Sequence, residues 1–72
     1  MNKNELLAEM ILHGDTRTDL AKALGMSLGT LNAKINETNG RCFTQPEIAS
    51  IKNRYKLTAE KVDRIFFTSK VS

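Results

Sequence analysis

The chain has 72 residues, of which 40% are hydrophobic, and a formal net charge of +3. That length allows one small core, so we expect a single domain over residues 1–72. The apolar content is typical of a globular protein, and no run approaches the ~20 apolar residues of a membrane span. We expect no signal peptide and, because the sequence has only one cysteine, a cytoplasmic protein without an internal disulfide.

The residue types argue against an enzyme. There is one histidine and one cysteine, with no glycine-rich phosphate loop and no carboxylate cluster beside a base. We therefore predict no catalytic residue, no metal site and no cofactor. His13 is expected to interact with a helix dipole, and Cys42 to fill a small space in the fold.

The positive charge is unevenly distributed. Residues 1–37 hold four basic and five acidic side chains, a balance of −1, whereas residues 38–72 hold seven basic and three acidic ones, a balance of +4. A dedicated DNA-binding protein usually concentrates positive charge around the helix that reads the bases. Here most of it lies in the other half of the chain.

Helix 1 is predicted over residues 4–13, with Asn4 as its N-cap and Gly14 as the left-handed residue that ends it. Its spacing predicts an inward face that consists of Leu6, Leu7, Met10 and Ile11.

Helices 2 and 3 are predicted to be joined by a tight turn. Helix 2 covers residues 17–24, with Thr16 and Asp19 in a capping box and Gly25 ending it at positive φ. Helix 3 covers residues 28–36 and is capped by Ser27. Inward positions are Leu20, Leu24, Leu31 and Ile35, and outward positions of helix 3 are Leu28, Gly29, Asn32, Ala33 and Asn36.

A turn at Asn39-Gly40 separates these helices from the rest. Helix 4 begins after Thr44, which forms a second capping box with Glu47, and helix 5 begins after Thr58. The expected inward residues are Ile48, Ile51, Tyr55, Val62, Ile65 and Phe66. Lys52, Arg54 and Lys56 are expected to form a solvated helix end, or to contact phosphates. Phe67 is expected to contact a second subunit or to close the core, and residues 68–72 to be a loose tail.

The helix-turn-helix at positions two and three resembles the lambda-type repressor and Cro family of temperate phages. The resemblance rests on Leu20-Ala21, Gly25-x-Ser27, Thr30-Leu31 and Lys34-Ile35-Asn36, and continues in residues 43–48 and 65–67. It implies an all-α, five-helix lambda-repressor-like domain. Length and opening residues further resemble the modulator-of-repression proteins of lactococcal phages, which implies a role in the lysis–lysogeny switch.

The chain departs from that family at the tip of helix 3. Members that read DNA carry polar or basic residues where this chain has Leu28, Gly29 and Ala33. Leucine and alanine can touch a thymine methyl group but cannot form the bidentate hydrogen bonds that discriminate bases by ~1–3 kcal/mol. The candidate binding residues are Arg17, Ser27, Leu28, Gly29, Thr30, Asn32, Ala33, Lys34 and Asn36. Arg17 is either a phosphate contact or an ordinary solvated side chain, and Lys34 either reaches a phosphate or covers the side of helix 3 with its stem.

Two functions follow. In the first, the protein is an antirepressor in the bacterial host: its helix-turn-helix face binds the N-terminal domain of a CI-type phage repressor, and it binds DNA only weakly. Asp15, Asp19 and Glu37 are then expected to attract the basic face of that repressor. In the second, the protein is a dimeric Cro-like repressor that binds operator DNA at two half-sites, with Phe66 and Phe67 at the dimer contact.

Overall fold

The structure is a computed structural model that describes residues 1–67. Within that range the chain forms five α-helices and no strand. They are α1 (Lys3–Leu12), α2 (Arg17–Leu24), α3 (Leu28–Ile35), α4 (Gln45–Tyr55) and α5 (Ala59–Val62). A 3-10 turn (Thr38–Gly40) separates α3 from α4, and a π-helical turn (Asp63–Phe67) follows α5. The predicted all-α class with five helices is confirmed, and the predicted tail at 68–72 lies outside the described residues.

Local capping explains where α2 and α4 begin. At α2 the Thr16 amide donates to Asp19 Oδ2 at 3.0 Å, and the Asp19 amide donates to Thr16 Oγ1 at 3.1 Å. At α4 the same exchange joins Thr44 and Glu47, at 2.9 and 3.4 Å. Each box satisfies amides that the first helical turn would leave without partners. Both predicted capping boxes are confirmed.

Helix α1 differs from its prediction. Asn2, rather than Asn4, is the N-cap, because its Oδ1 accepts a hydrogen bond from the Glu5 amide at 3.2 Å. The prediction that Ile11 faces the core is wrong, since its side chain is 79% exposed. Glu9 is buried instead, and its carboxylate accepts a hydrogen bond from Lys61 Nζ at 2.6 Å. The inward face of α1 therefore includes Glu9, whose buried carboxylate has a cationic partner, and does not include Ile11.

The core draws on every helix. Six side chains are essentially inaccessible to solvent: Leu6, Leu20, Leu31, Ile35, Ile51 and Ile65. The predicted inward positions of α4 and α5 are buried, whereas Leu24 and Phe66 are only partly buried. Phe43 and Leu57, which lie between helices, complete the core. Cys42 is exposed, so its predicted role as a filler is wrong.

A polar cluster joins the segment before α2 to the end of α4. The Asp15 carboxylate accepts hydrogen bonds from Arg54 Nε at 2.6 Å, from Arg54 Nη2 at 2.8 Å and from the Tyr55 hydroxyl at 2.7 Å. The His13 ring stacks on Tyr55 with centroids 5.0 Å apart. The hydrogen bond from Arg54 lowers the pKa of Asp15. Arg54 is thus a structural partner of Asp15, which corrects its prediction as part of a purely solvated helix end.

Candidate interaction site on the second and third helices

Helices α2 and α3 are connected by the predicted three-residue turn. Gly25 adopts φ 71°, the left-handed conformation in which glycine carries no steric penalty. Ser27 then caps α3, because its Oγ accepts a hydrogen bond from the Thr30 amide at 3.1 Å. The Ser27 hydroxyl also donates to Thr30 Oγ1 at 2.9 Å. We call residues 17–36 the α2–α3 unit, and its outward surface, which holds the nine predicted binding residues, the α2–α3 face.

The tip of the α2–α3 face is apolar and open. Leu28 is 43% exposed, and a Cβ at Gly29 would meet no atom within 4 Å. Ala33 is only partly exposed, one turn further along the helix. A partner could therefore approach the backbone of α3 closely at Gly29 while covering the Leu28 side chain. The predicted apolar patch is present, with Leu28 as its main exposed side chain.

Arg17 and Asn32 form a pair across the two helices. Arg17 Nη1 donates to Asn32 Oδ1 at 2.8 Å, and both side chains are partly buried. The bond holds the guanidinium against the middle of α3, so Arg17 is not simply solvated as one prediction held. Sequence reasoning missed this contact because the two residues are 15 positions apart, and only the crossing of α2 over α3 brings them together.

Lys34 is engaged within the chain. Its Nζ lies 2.6 Å from Glu47 Oε1, and the side chains are only 15% and 21% exposed. Burial opposes ionisation of Glu47, but the hydrogen bonds from Lys34 and from the Thr44 amide outweigh it and lower the pKa of Glu47. Glu47 therefore serves two structural tasks, the cap of α4 and the link to α3. Neither sequence prediction for Lys34, a phosphate contact or a stem that covers the side of helix 3, included this ion pair.

The far end of α3 meets the start of the chain. Asn36 is the C-cap of α3 and remains exposed, and its Oδ1 accepts a hydrogen bond from Lys3 Nζ at 3.4 Å. The terminal ammonium of Met1 lies 3.4 Å from Glu37 Oε2. Lys3 and Met1 therefore border the α2–α3 face, although no sequence signal linked them to it.

The acidic side chains around this face are not equally available. Asp15 is engaged by Arg54 and Tyr55, so it contributes little to the attraction of a basic partner. Asp19 is exposed, and the backbone hydrogen bond from Thr16 lowers its pKa, which keeps it ionised at neutral pH. Glu37 is 47% exposed beside the terminal ammonium.

A pocket of about 290 Å³ lies beside the C-terminal end of α3. Its lining is mostly apolar and consists of Met1, Lys34, Glu37, Cys42, Phe43, Gln45, Ile48, Phe66 and Phe67. Phe67 is 50% exposed at this pocket, so it does not close the core. Its predicted role in a dimer stays a prediction.

Within residues 1–67, no group of three or more histidine, cysteine or carboxylate side chains could hold a metal ion. No helix in the same range is long and apolar enough to cross a membrane. No protein-family model, curated protein or solved structure matches this chain.

Proposed function

We propose that this protein is an antirepressor of the phage lysis–lysogeny switch. It binds the N-terminal, DNA-binding domain of a CI-type repressor through the α2–α3 face, in the cytoplasm of the bacterial host, and itself binds DNA weakly. The setting rests on the sequence resemblance to lambda-type and Cro-like helix-turn-helix proteins. The choice of a protein partner over DNA rests on the side chains of the face.

One observation carries the proposal: an exposed leucine stands at the tip of a face on which internal hydrogen bonds hold three pairs of polar side chains in place. Ser27 pairs with Thr30, Arg17 with Asn32, and Lys34 with Glu47. Reading a base requires side chains that present donors and acceptors to its edge in a defined geometry. Breaking these internal bonds to contact DNA would cost part of the free energy gained from the new contacts.

The apolar tip favours a protein surface for a different reason. Leu28 and the open backbone at Gly29 would gain little against phosphates, but they can pack closely against another helix. An exposed apolar side chain surrounded by polar groups is typical of the centre of a protein interface. A repressor whose own recognition helix is covered in this way could no longer enter the major groove.

The experiment is a calorimetric titration of the purified protein against the N-terminal domain of the cognate CI-type repressor. We expect a saturable complex at micromolar concentrations and its loss in Leu28→Lys. Ile11→Lys is the matched control, because Ile11 is also an exposed aliphatic residue but lies on α1. Absence of a complex, or equal effects of the two substitutions, would overturn the proposal.

The competing proposal is a Cro-like operator-binding repressor that acts as a dimer. Arg17 favours it, since a cation on this face can contact a phosphate. A mobility-shift series on the phage switch region separates the two functions. Sequence-preferring binding that weakens steeply with salt would support the Cro-like function. Weak binding without sequence preference would support the antirepressor.

A further inference from the structure

Within residues 1–67, Arg17 is a partly buried cation without a carboxylate partner. Its one hydrogen bond is to the neutral amide oxygen of Asn32, at 2.8 Å, and no ion pair among residues 1–67 includes it. Lys34, the other cation among the nine candidate binding residues, is paired with Glu47. A partly desolvated guanidinium without an anion gains most from an anionic group that arrives with a partner.

The hydrogen bond between Arg17 and Asn32 leaves only hydrogen-bond donors free on these two side chains. Arg17 keeps four of its five N–H groups, because a guanidinium has about five donors and only one is engaged. The Asn32 oxygen faces the guanidinium, which leaves the amide nitrogen of Asn32 as a further donor. Such a cluster selects an oxygen acceptor and rejects a cation.

The surroundings of the pair indicate which acceptor it receives. Leu28 lies four residues before Asn32, so the two share one side of α3. A DNA backbone requires several cations along its path, whereas the nine candidate residues include a single cation without an ion pair among residues 1–67, together with an exposed leucine. One charge next to one apolar anchor matches a discrete side chain on a protein.

We infer that the Arg17–Asn32 pair binds a carboxylate, from an aspartate or glutamate of the partner protein, while Leu28 packs beside it. This inference rests on the proposed function and adds the chemistry that the partner must present. The planar fork of Arg17 can bind both carboxylate oxygens, and Asn32 holds the fork in place before the partner arrives.

The test uses the intact protein and the N-terminal domain of the cognate repressor. We expect Arg17→Met to weaken the complex by at least roughly tenfold, with a shallower dependence on salt. Arg17→Lys should recover only part of the affinity, because lysine lacks the fork. Lys22→Met is the matched control, since it removes an exposed cation from the last turn of the same helix, and should change affinity by less than about twofold.

The partner residue is identified by replacing each aspartate and glutamate of the repressor domain by its amide. One replacement should reproduce the loss seen in Arg17→Met and cause no further loss when the two changes are combined. Thermal melts of each variant ensure that folding is intact, and Arg17→Gln replaces Arg17→Met if the latter unfolds.

The outcomes separate this inference from the proposed function. If Leu28→Lys abolishes the complex but Arg17→Met does not weaken it, the carboxylate site is wrong and the antirepressor stands. If no amide replacement matches Arg17→Met, the site is likewise wrong. If Arg17→Met leaves the complex intact and lowers DNA affinity instead, Arg17 contacts phosphate. If no complex forms at all, both proposals fail.

Discussion

Leu28 and Gly29 determine what the tip of α3 can contact. One supplies an exposed apolar side chain and the other an unobstructed stretch of helix backbone. Neither residue stabilises the fold in an obvious way: Leu28 is outside the core, and glycine is a poor helix former. An exposed leucine outside the core and a helical glycine contribute little to stability, and both features are better suited to binding than to folding.

We predict that Gly29→Ala will stabilise the protein and weaken repressor binding. Gly29 has helical backbone geometry and open space around it, so alanine should raise the free energy of unfolding by about 0.5–1 kcal/mol. The added methyl group should hinder close approach of a partner helix. Gly25→Ala is the contrasting variant, and should destabilise by about 1 kcal/mol or more because φ is 71° there. Urea unfolding and calorimetric titration measure both effects; unchanged affinity in Gly29→Ala would contradict close packing at this point.

The two sides of α1 give a second prediction at the residue scale. Leu6→Ala should lower the free energy of unfolding by about 2–5 kcal/mol, because Leu6 is fully buried. Ile11→Ala should change it by less than about 0.5 kcal/mol, because the side chain is mostly in solvent. Chemical denaturation of both variants is the measurement. A comparable loss in Ile11→Ala would mean that α1 packs by its originally predicted stripe.

At the scale of elements, features set by neighbouring residues could be predicted, and contacts between elements could not. The capping boxes that begin at Thr16 and Thr44 each depend on two residues three positions apart, and both are present. The stripe of α1 was misplaced because the sequence gives no sign that Lys61 neutralises Glu9 from 52 positions away. The ion pair between Lys34 and Glu47 was not predicted for the same reason, because the two residues are 13 positions apart in the sequence. The nine predicted binding residues lie within the α2–α3 unit, and the internal bonds of Arg17 and Lys34 depend on tertiary structure.

The link between α3 and α4 predicts a gain of DNA affinity on mutation. Glu47→Gln should release Lys34 from its 2.6 Å ion pair. A free ammonium on this face should strengthen non-specific DNA binding and increase its salt slope by about one unit. Glu60→Gln is the control, because it removes the same charge from an exposed side chain on α5. Fluorescence anisotropy with an arbitrary duplex measures both, and an equal gain in the two variants would attribute the effect to net charge alone.

At the scale of the whole molecule, acidic side chains stabilise the fold by joining distant parts of it. Asp15 connects the segment before α2 to α4, Glu9 connects α1 to Lys61, and Glu47 connects α4 to α3. The basic side chains Arg54 and Lys61 are therefore partly committed to structure. The positive charge of the second half is consequently a weaker sign of DNA binding than its number of basic residues suggests.

These links predict loss of stability in acid. The folded pKa values of Asp15 and Glu47 are lowered, whereas in the unfolded chain both carboxyls titrate near about 4. The folded state thus binds fewer protons, so the stabilisation is complete at neutral pH and is lost as the pH falls through about 4 and below. Urea midpoints at neutral pH and about pH 3 measure it. Asp15→Asn should show a smaller pH dependence, and a midpoint independent of pH in the natural sequence would contradict this account.

The most direct test of the central proposal is a displacement experiment. The N-terminal domain of the cognate repressor is bound to fluorescent operator DNA, and this protein is added while anisotropy is followed. Antirepression through the α2–α3 face predicts that the natural sequence releases the DNA and that Leu28→Lys does not. Retention of the repressor on the operator at saturating protein, or release that persists in Leu28→Lys, would contradict it.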